Sequence, residues 1–222
     1  MSGSLEVLCH TVGPFVENCY LMVGPSGKKA AIVDPGVETE FLADELDRRG
    51  LELEWIINTH AHLDHVACNH FFKERTNAPI ILHRDDLPLL KELPRQGEMF
   101  GIQVKPSPAP DAWFEEGQPF VFDGLNFDVL HTPGHSPGGV CLRHGEVMWV
   151  GDTLFQGSIG RTDLFGGSLE ELTQSIRGKL FSLPGATRCF PGHGPATTLD
   201  AEQRTNPFVG DAAIAAGGQD IS

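Results

Sequence analysis

Short apolar runs separated by Gly, Pro, Asp and Asn dominate the chain, and that spacing predicts strands more often than helices. Residues 5–11, 18–23 and 29–33 predict three strands, the last closed by Asp34-Pro35-Gly36. Phe41, Leu42 and Leu46 followed by Gly50 predict a short helix and its stop. The largely apolar Glu54-Trp55-Ile56-Ile57-Asn58 predicts a strand, residues 65–75 a helix and residues 79–82 a further strand. Residues 88–110 are rich in Pro and Gly and are expected to form a long loop, a candidate lid over a site. Two hairpins follow: residues 118–122 and 125–130 flank the turn Asp123-Gly124, and residues 139–142 and 147–150 flank a turn containing His144-Gly145. Ser168 and Glu171 form a capping box ahead of an apolar stripe of Leu169, Leu172, Ile176 and Leu180, which Leu183-Pro184-Gly185 terminates. Residues 188–190 predict a last short strand.

Strands in both halves with a few helices between them predict two packed β-sheets with helices outside, rather than a parallel doubly wound sheet. No repeat is visible. Residues 1–209 are expected to form one domain, and the Ala/Gly-rich residues 210–222 a flexible tail.

A hydrophobic content of 40% supports a core without disulfides, and no apolar run approaches the length that spans a bilayer. Residues 1–6 lack the basic start and apolar segment of a secretory signal, so a soluble, cytoplasmic protein is expected. Cys9, Cys19, Cys68, Cys141 and Cys189 are scattered and odd in number, as suits small buried hydrophobes in a reducing compartment. A net charge of −14 without any Lys/Arg run argues against nucleic acid or an anionic membrane as partner, and leaves a small molecule.

The chemistry concentrates in Thr59-His60-Ala61-His62-Leu63-Asp64-His65, where three imidazoles and a carboxylate crowd into a segment that suits a metal far better than a core. Three further apolar strands run into donors: one into His131-Thr132-Pro133-Gly134-His135, one into Gly151-Asp152, one into Pro191-Gly192-His193. If these strand ends meet at one edge of the sandwich, His60, His62, Asp64, His65, His135, Asp152 and His193 converge. Seven donors exceed what one zinc takes and suit two cations sharing a carboxylate, an arrangement that lowers the pKa of a shared water toward about 7. That points to hydrolysis.

The order H-x-H-x-D-H, H, D, H resembles the metallo-β-lactamase fold superfamily. Within it, Val33-Asp34-Pro35-Gly36, Thr132-Pro133-Gly134-His135-Ser136-Pro137-Gly138, Gly151-Asp152-Thr153-Leu154-Phe155 and Pro191-Gly192-His193-Gly194 resemble the glyoxalase II group of thioester hydrolases, and Gly157-Ser158-Ile159-Gly160-Arg161-Thr162-Asp163 is similar to its short bacterial members. The resemblance covers roughly residues 5–208. It implies an αββα sandwich of two mixed β-sheets, an α/β fold. It also implies two divalent metal ions, zinc first, with iron and manganese also compatible. His60, His62 and His135 would hold one, Asp64, His65 and His193 the other, with Asp152 bridging. A metal-bridging hydroxide would attack the carbonyl of a thioester of the S-2-hydroxyacylglutathione (S-lactoylglutathione) type, with Asp64 orienting it as the catalytic residue. Asp34 would either buttress the site or serve only as a turn residue.

Two departures stand out. The helical, glutathione-binding part of full-length glyoxalase II is expected to be absent, and Ala67-Cys68 replaces two small residues, which would set a thiol near the metals. Arg161 and Asp163 are open to either structural pairing or substrate contact, with Arg161 the candidate substrate ligand. His10, His70, His83, His131 and His144 are expected at the surface, in turns or satisfied in the core. The motif set also resembles sulfur dioxygenases that oxidise glutathione persulfide with one iron, held by the counterparts of His60, His135 or His62, and Asp152. A non-catalytic metal-bound module is the third class.

Overall fold

The computed structural model describes residues 4–211 and residue 213. Two six-stranded sheets face each other. The first runs in chain order: Glu6–Val12 (β1), Glu17–Val23 (β2), Lys29–Val33 (β3), Glu52–Ile57 (β4), Ile80–His83 (β5) and Ala112–Phe114 (β6). Its first three strands are antiparallel hairpin neighbours and its last four are parallel. Parallel neighbours need crossovers, and helices supply them. Leu42–Arg49 (α1) links β3 to β4, Leu63–Val66 (α2) and Asn69–Thr76 (α3) link β4 to β5, and Leu87–Lys91 (α4) and Leu93–Phe100 (α5) link β5 to β6.

The second sheet contains Phe120–Phe122 (β7), Leu125–His131 (β8), Val140–His144 (β9), Val147–Gly151 (β10), Arg188–Pro191 (β13) and Thr197–Thr198 (β14), in the order β14-β13-β10-β9-β8-β7. Leu154–Phe155 (β11) and Ser158–Ile159 (β12) form a small separate hairpin. Leu169–Gln174 (α6) and Leu199–Thr205 (α7) complete the set.

Side-chain alternation explains the layers. Along β2, Tyr20 and Met22 point into the inter-sheet core with Ile57, Phe127, Leu142 and Trp149, while Cys19 and Leu21 point outward onto Leu42 and Leu46 of α1 and Phe72 of α3. The second sheet repeats this, with Met148, Val150 and Cys189 packed on Leu172, Ile176 and Leu180. The result is the two-sheet α/β sandwich with outer helices that the sequence predicts. No helix among the described residues is long and apolar enough to cross a membrane.

Several expectations need correction. Residues 88–110 are not one long loop: α4 and α5 occupy their first part, with Pro88 and Pro94 in the first turns, where a missing N–H leaves no helical bond unmade. The helix expected over residues 65–75 breaks at Ala67-Cys68, because the Cys68 N–H donates to the Pro35 carbonyl (2.9 Å) rather than back along α2. Ser168 caps α6 by accepting from the Glu171 N–H, yet Leu169 is 55% exposed and leaves the stripe to Leu172, Ile176 and Leu180. The chain then widens into a π turn over Ser175–Lys179. Residues 212 and 214–222, most of the expected tail, lie outside the described residues.

Gly36 shows how tightly the α2 loop is laid against β3. A Cβ there would sit 1.7 Å from the Asp64 carbonyl oxygen, whereas Gly27, at φ +68°, has open space around it. Gly36→Ala is therefore expected to destabilise the metal-free protein by about 3 kcal/mol through overpacking, and Gly27→Ala by about 1 kcal/mol through backbone strain alone. Urea midpoints at constant m-value check the difference; equal losses would mean the loop is free to move.

Candidate metal centre

Four strands end at one edge of the sandwich, and each delivers donors on the segment that follows it, Asp64 and His65 standing in α2 itself. β4 leads to His60, His62, Asp64 and His65, β8 to His135, β10 to Asp152 and β13 to His193. Six of the seven side chains gather in two groups, His60 with His62 and His135, and Asp64 with His65 and His193. In the first, His135 Nε2 lies 2.8 Å from His62 Nδ1 and 3.2 Å from His60 Nε2. In the second, Asp64 Oδ2 lies 3.1 Å from His193 Nε2 and 3.6 Å from His65 Nε2. Asp152 stands between them: its Oδ2 is 3.4 Å from His135 Nε2 and 3.6 Å from His193 Nε2, and its Oδ1 is 3.5 Å from His65 Nε2. Gly192 makes this closeness feasible, since a Cβ there would lie 2.2 Å from Asp152 Oδ1.

The far side of each ring decides which nitrogen faces inward. His65 Nδ1 bonds to Asp34 Oδ2 (3.1 Å), His135 Nδ1 to the Arg161 carbonyl (2.8 Å) and His193 Nδ1 to the Val16 carbonyl (3.3 Å). His60 Nδ1 meets the Thr59 hydroxyl (3.1 Å), which itself donates to Asp34 Oδ2 (2.6 Å). An imidazole that donates outward to oxygen presents its other nitrogen as a lone pair, the arrangement that orients metal-binding histidines. His62 is reversed, with Nδ1 inward. Asp34 thus buttresses the site and is more than a turn residue.

The buried atoms His62 Nε2, His65 Nε2 and Asp152 Oδ1 have no hydrogen-bond partner among the described residues. Orphaned polar atoms are costly in an interior, and a convergent set of imidazole and carboxylate donors fits a divalent cation. The electrostatics of the two groups differ. Burial, then the neighbouring His135, drives His62 down to about 3, and burial with the surrounding imidazoles drives His60 well below the usual range. Burial also opposes the charged form of His65, but Asp152, Asp64 and Asp34 outweigh it and raise that ring well above normal. His193 is raised likewise, burial being overcome by the bond to Asp64 and by Asp152. Burial alone would raise Asp152, yet His65, His135 and His193 pull it far down.

Some participants carry no visible mark in the sequence. Asp86 is fully buried and ties two donor loops together, accepting from the Ala61 N–H (2.9 Å), the Ser136 hydroxyl (2.9 Å) and the Gly138 N–H (2.6 Å). Gln96 of α5 accepts from the Leu63 N–H (2.9 Å) and donates to the Ala61 carbonyl (3.2 Å). Asn18 Nδ2 donates to the carbonyls of Pro191 and Gly194, at 3.1 and 2.7 Å, which holds the His193 turn. Glu17 is buried within 3.8 Å of His65 Nδ1, and burial pushes its carboxyl well up.

Cys68 does not approach the donors. Its thiol packs in the outer cluster beside Phe72, and burial raises it to about 11, which leaves it an inert core group. Arg161 lines the cavity in front of the donors, but its guanidinium is held by Asp163 at 2.7 and 2.8 Å, so the part that serves the centre directly is its carbonyl.

The sequence matches the family model described as the metallo-beta-lactamase superfamily over residues 12–193. The chain belongs to the metallo-beta-lactamase superfamily. Within this superfamily it is 41% identical, over 202 residues, to a protein of Haemophilus influenzae named hydroxyacylglutathione hydrolase GloC, covering 89% of this chain and 95% of that one. Among solved structures it is similar to TTHA1623 in a di-iron-bound form (TM-score 0.83, 42% identity, 91% of this chain and 100% of that one). It is also similar to the BLEG-1 B3 metallo-beta-lactamase (TM-score 0.85, 35% identity, 92% and 99%). Superfamily membership and the donor clusters make this a metal-dependent hydrolase.

The contrast between neutral His60 and His62 and the acid-paired His65 and His193 has a sign. A cation entering the second group must displace protons from rings that hold them more tightly than usual, while His60 and His62 of the first group offer lone pairs well into acid. Metal content per chain is expected to fall in two steps as pH drops, the Asp64 group emptying first, near or above the ordinary imidazole range, and the His60 group only well below it. A single step, or retention of metal by a His60→Ala variant to lower pH than by a His193→Ala variant, would contradict this order.

Proposed function

We propose that the chain hydrolyses thioesters of the S-2-hydroxyacylglutathione type with two divalent cations, one held by His60, His62 and His135, the other by Asp64, His65 and His193, with Asp152 shared. The observation that carries this reading is the placement of the Asp152 carboxylate, whose two oxygens lie within 3.4 to 3.6 Å of ring nitrogens from both groups. The name borne by the Haemophilus influenzae relative supports the thioester class. Zinc is the first candidate metal; the di-iron form of TTHA1623 makes iron the second.

When bound, such a cation pair supplies a water ionised near neutral pH and an electrophile for the carbonyl oxygen. The residues of the chain then have separate tasks. Asp152, held far below the usual carboxylate range, stays ionised and keeps its charge centred between the two groups. Asp64, half-buried at the cavity floor, orients the attacking water by accepting its hydrogen bond. Asp34 and the Arg161 carbonyl keep the rings of His65 and His135 in the tautomer that presents Nε2. Leu63, Phe155 and Ile159 wall the cavity and limit water around the scissile bond. The alternative reading, a persulfide dioxygenase, calls for one iron, and three further convergent donors at Asp64, His65 and His193 argue for two cations. Five unpaired cysteines suit the cytoplasm, where we place the enzyme and its small acyl-thiol substrate.

Elemental analysis combined with S-lactoylglutathione hydrolysis tests the proposal. Asp152→Ala is expected to lower bound metal toward one equivalent or none and to cut turnover roughly a hundredfold or more. Full turnover with unchanged metal content in that variant would remove the shared-carboxylate assignment. Absence of thioester hydrolysis in fully loaded wild-type protein would remove the substrate class.

A further inference from the structure

The cavity in front of the donors holds about 410 Å³, and its walls are unlike its floor. Below lie His62, Asp64, His135, Asp152 and His193; around them stand Phe15, Leu63, Phe100, Phe155, Ile159 and Leu164. Phe155 meets the His193 ring edge-to-face at 6.0 Å, so the apolar wall begins at the donors themselves. Phe15, from the β1–β2 turn, and Phe100, at the end of α5, meet edge-to-face at 5.1 Å and close one side. Their neighbours Val16 and Met99 are 62% and 72% exposed, Phe100 itself is 54% exposed, and Phe165, next to Leu164, is 74% exposed. Of the strongly exposed large hydrophobic residues among the described residues, Phe100 is thus itself a wall residue, and Val16, Met99 and Phe165 are next in sequence to wall residues. Exposed apolar groups gathered in this way mark a surface that something apolar covers.

Charge points the same way. Arg161 is the one Lys or Arg lining the cavity among the described residues, and Asp163 already occupies its guanidinium through two hydrogen bonds. An ionised carboxylate set against these walls, away from the donors and the cations they would hold, would lose water without gaining a free side-chain cation. The charged ends of a glutathione thioester thus belong outside, in solvent. The group attached to the reacting carbonyl is what remains to fill the space between the aromatic walls.

Building on the thioester-hydrolase reading, we infer that the preferred acyl group is a 2-hydroxyacyl group with an aromatic or branched apolar side chain, larger than lactoyl, seated between Phe15, Phe100 and Phe155. The cavity discriminates by burying that side chain, so the preference is carried by KM more than by kcat. Phe100, on the rim and half-exposed, is the specificity-determining residue most open to substitution without loss of the fold.

The test compares S-mandeloylglutathione with S-lactoylglutathione on the metal-loaded enzyme. The mandeloyl ester is expected to show about tenfold higher kcat/KM, mostly through a lower KM. In Phe100→Ala the ratio of the two kcat/KM values should fall toward one, while in Val121→Ala, altered at an exposed position of β7, it should stay as in the wild type. Calorimetric binding of mandelate and lactate to the same protein gives a second readout that needs no turnover, with mandelate expected to bind about fivefold tighter and to lose that advantage in Phe100→Ala. Equal or better use of the lactoyl ester, or equal affinity for the two acids, would overturn the inference while leaving thioester hydrolysis in place. If neither ester were cleaved, the thioester assignment would fall, and the affinities of the two acids would still decide what the walls recognise.

Discussion

Rings whose bare nitrogens face one another stay in place only if something grips their far sides, and a single carboxylate grips two of the five imidazoles here. Asp34 accepts from the Thr59 N–H at 2.7 Å, the Thr59 hydroxyl at 2.6 Å and His65 Nδ1 at 3.1 Å, and through that hydroxyl it also steadies His60. It reaches these partners because it closes β3, one strand away from the strand that ends in the histidine cluster, and because its backbone turns into the left-handed region at φ 54°. Few residue types other than glycine accept that conformation; Asp is among those that do. The turn through Pro35-Gly36 then lets the α2 loop settle directly upon it. Sheet geometry, turn chemistry and ring orientation therefore depend on one buried acid, whose own desolvation is offset by three donors.

The rest of the centre differs in kind between its two halves. One half is a nest of imidazoles whose burial keeps His60 and His62 uncharged. The other is an acid–imidazole lattice in which Asp152, Asp64 and Asp34 outweigh burial and favour the protonated form of His65. The same donors thus satisfy one another partly by proton sharing when no cation is present, which limits the cost of assembling so many polar groups out of water.

Much of this was legible in the linear sequence because each donor follows an apolar strand and a Pro/Gly turn, and strands of a sandwich deliver their ends to common edges. Asp152 stands out for that reason, as does His193 behind Pro191-Gly192. Other participants were silent. Asp86 looks like an ordinary acid near a helix start, and its partners Ala61, Ser136 and Gly138 are 25, 50 and 52 positions away. Residues 88–110 misled because Pro is read as a helix breaker when its position within the helix is unknown; Pro88 and Pro94 begin helices. Proximity in sequence misled at Cys68, whose thiol turns into the outer core because its backbone has left α2 to bond with Pro35. Leu169 fits the helical period yet is the first residue of α6 and stands largely exposed, outside the cluster that Leu172, Ile176 and Leu180 join.

The clasp between Asn18 and the His193 turn joins groups 173 and 176 residues apart, and the Tyr20 hydroxyl adds a third tie to Pro191 at 2.6 Å. Residues that emerge early from the ribosome therefore lock a donor that emerges late. A nascent chain that has made its histidine cluster but not yet its last parallel strand holds an unfinished nest, with the Asp64 group short of one arm. The Asp64 group is thus completed only once synthesis has passed Gly194, whereas the donors of the His60 group have all emerged by residue 135.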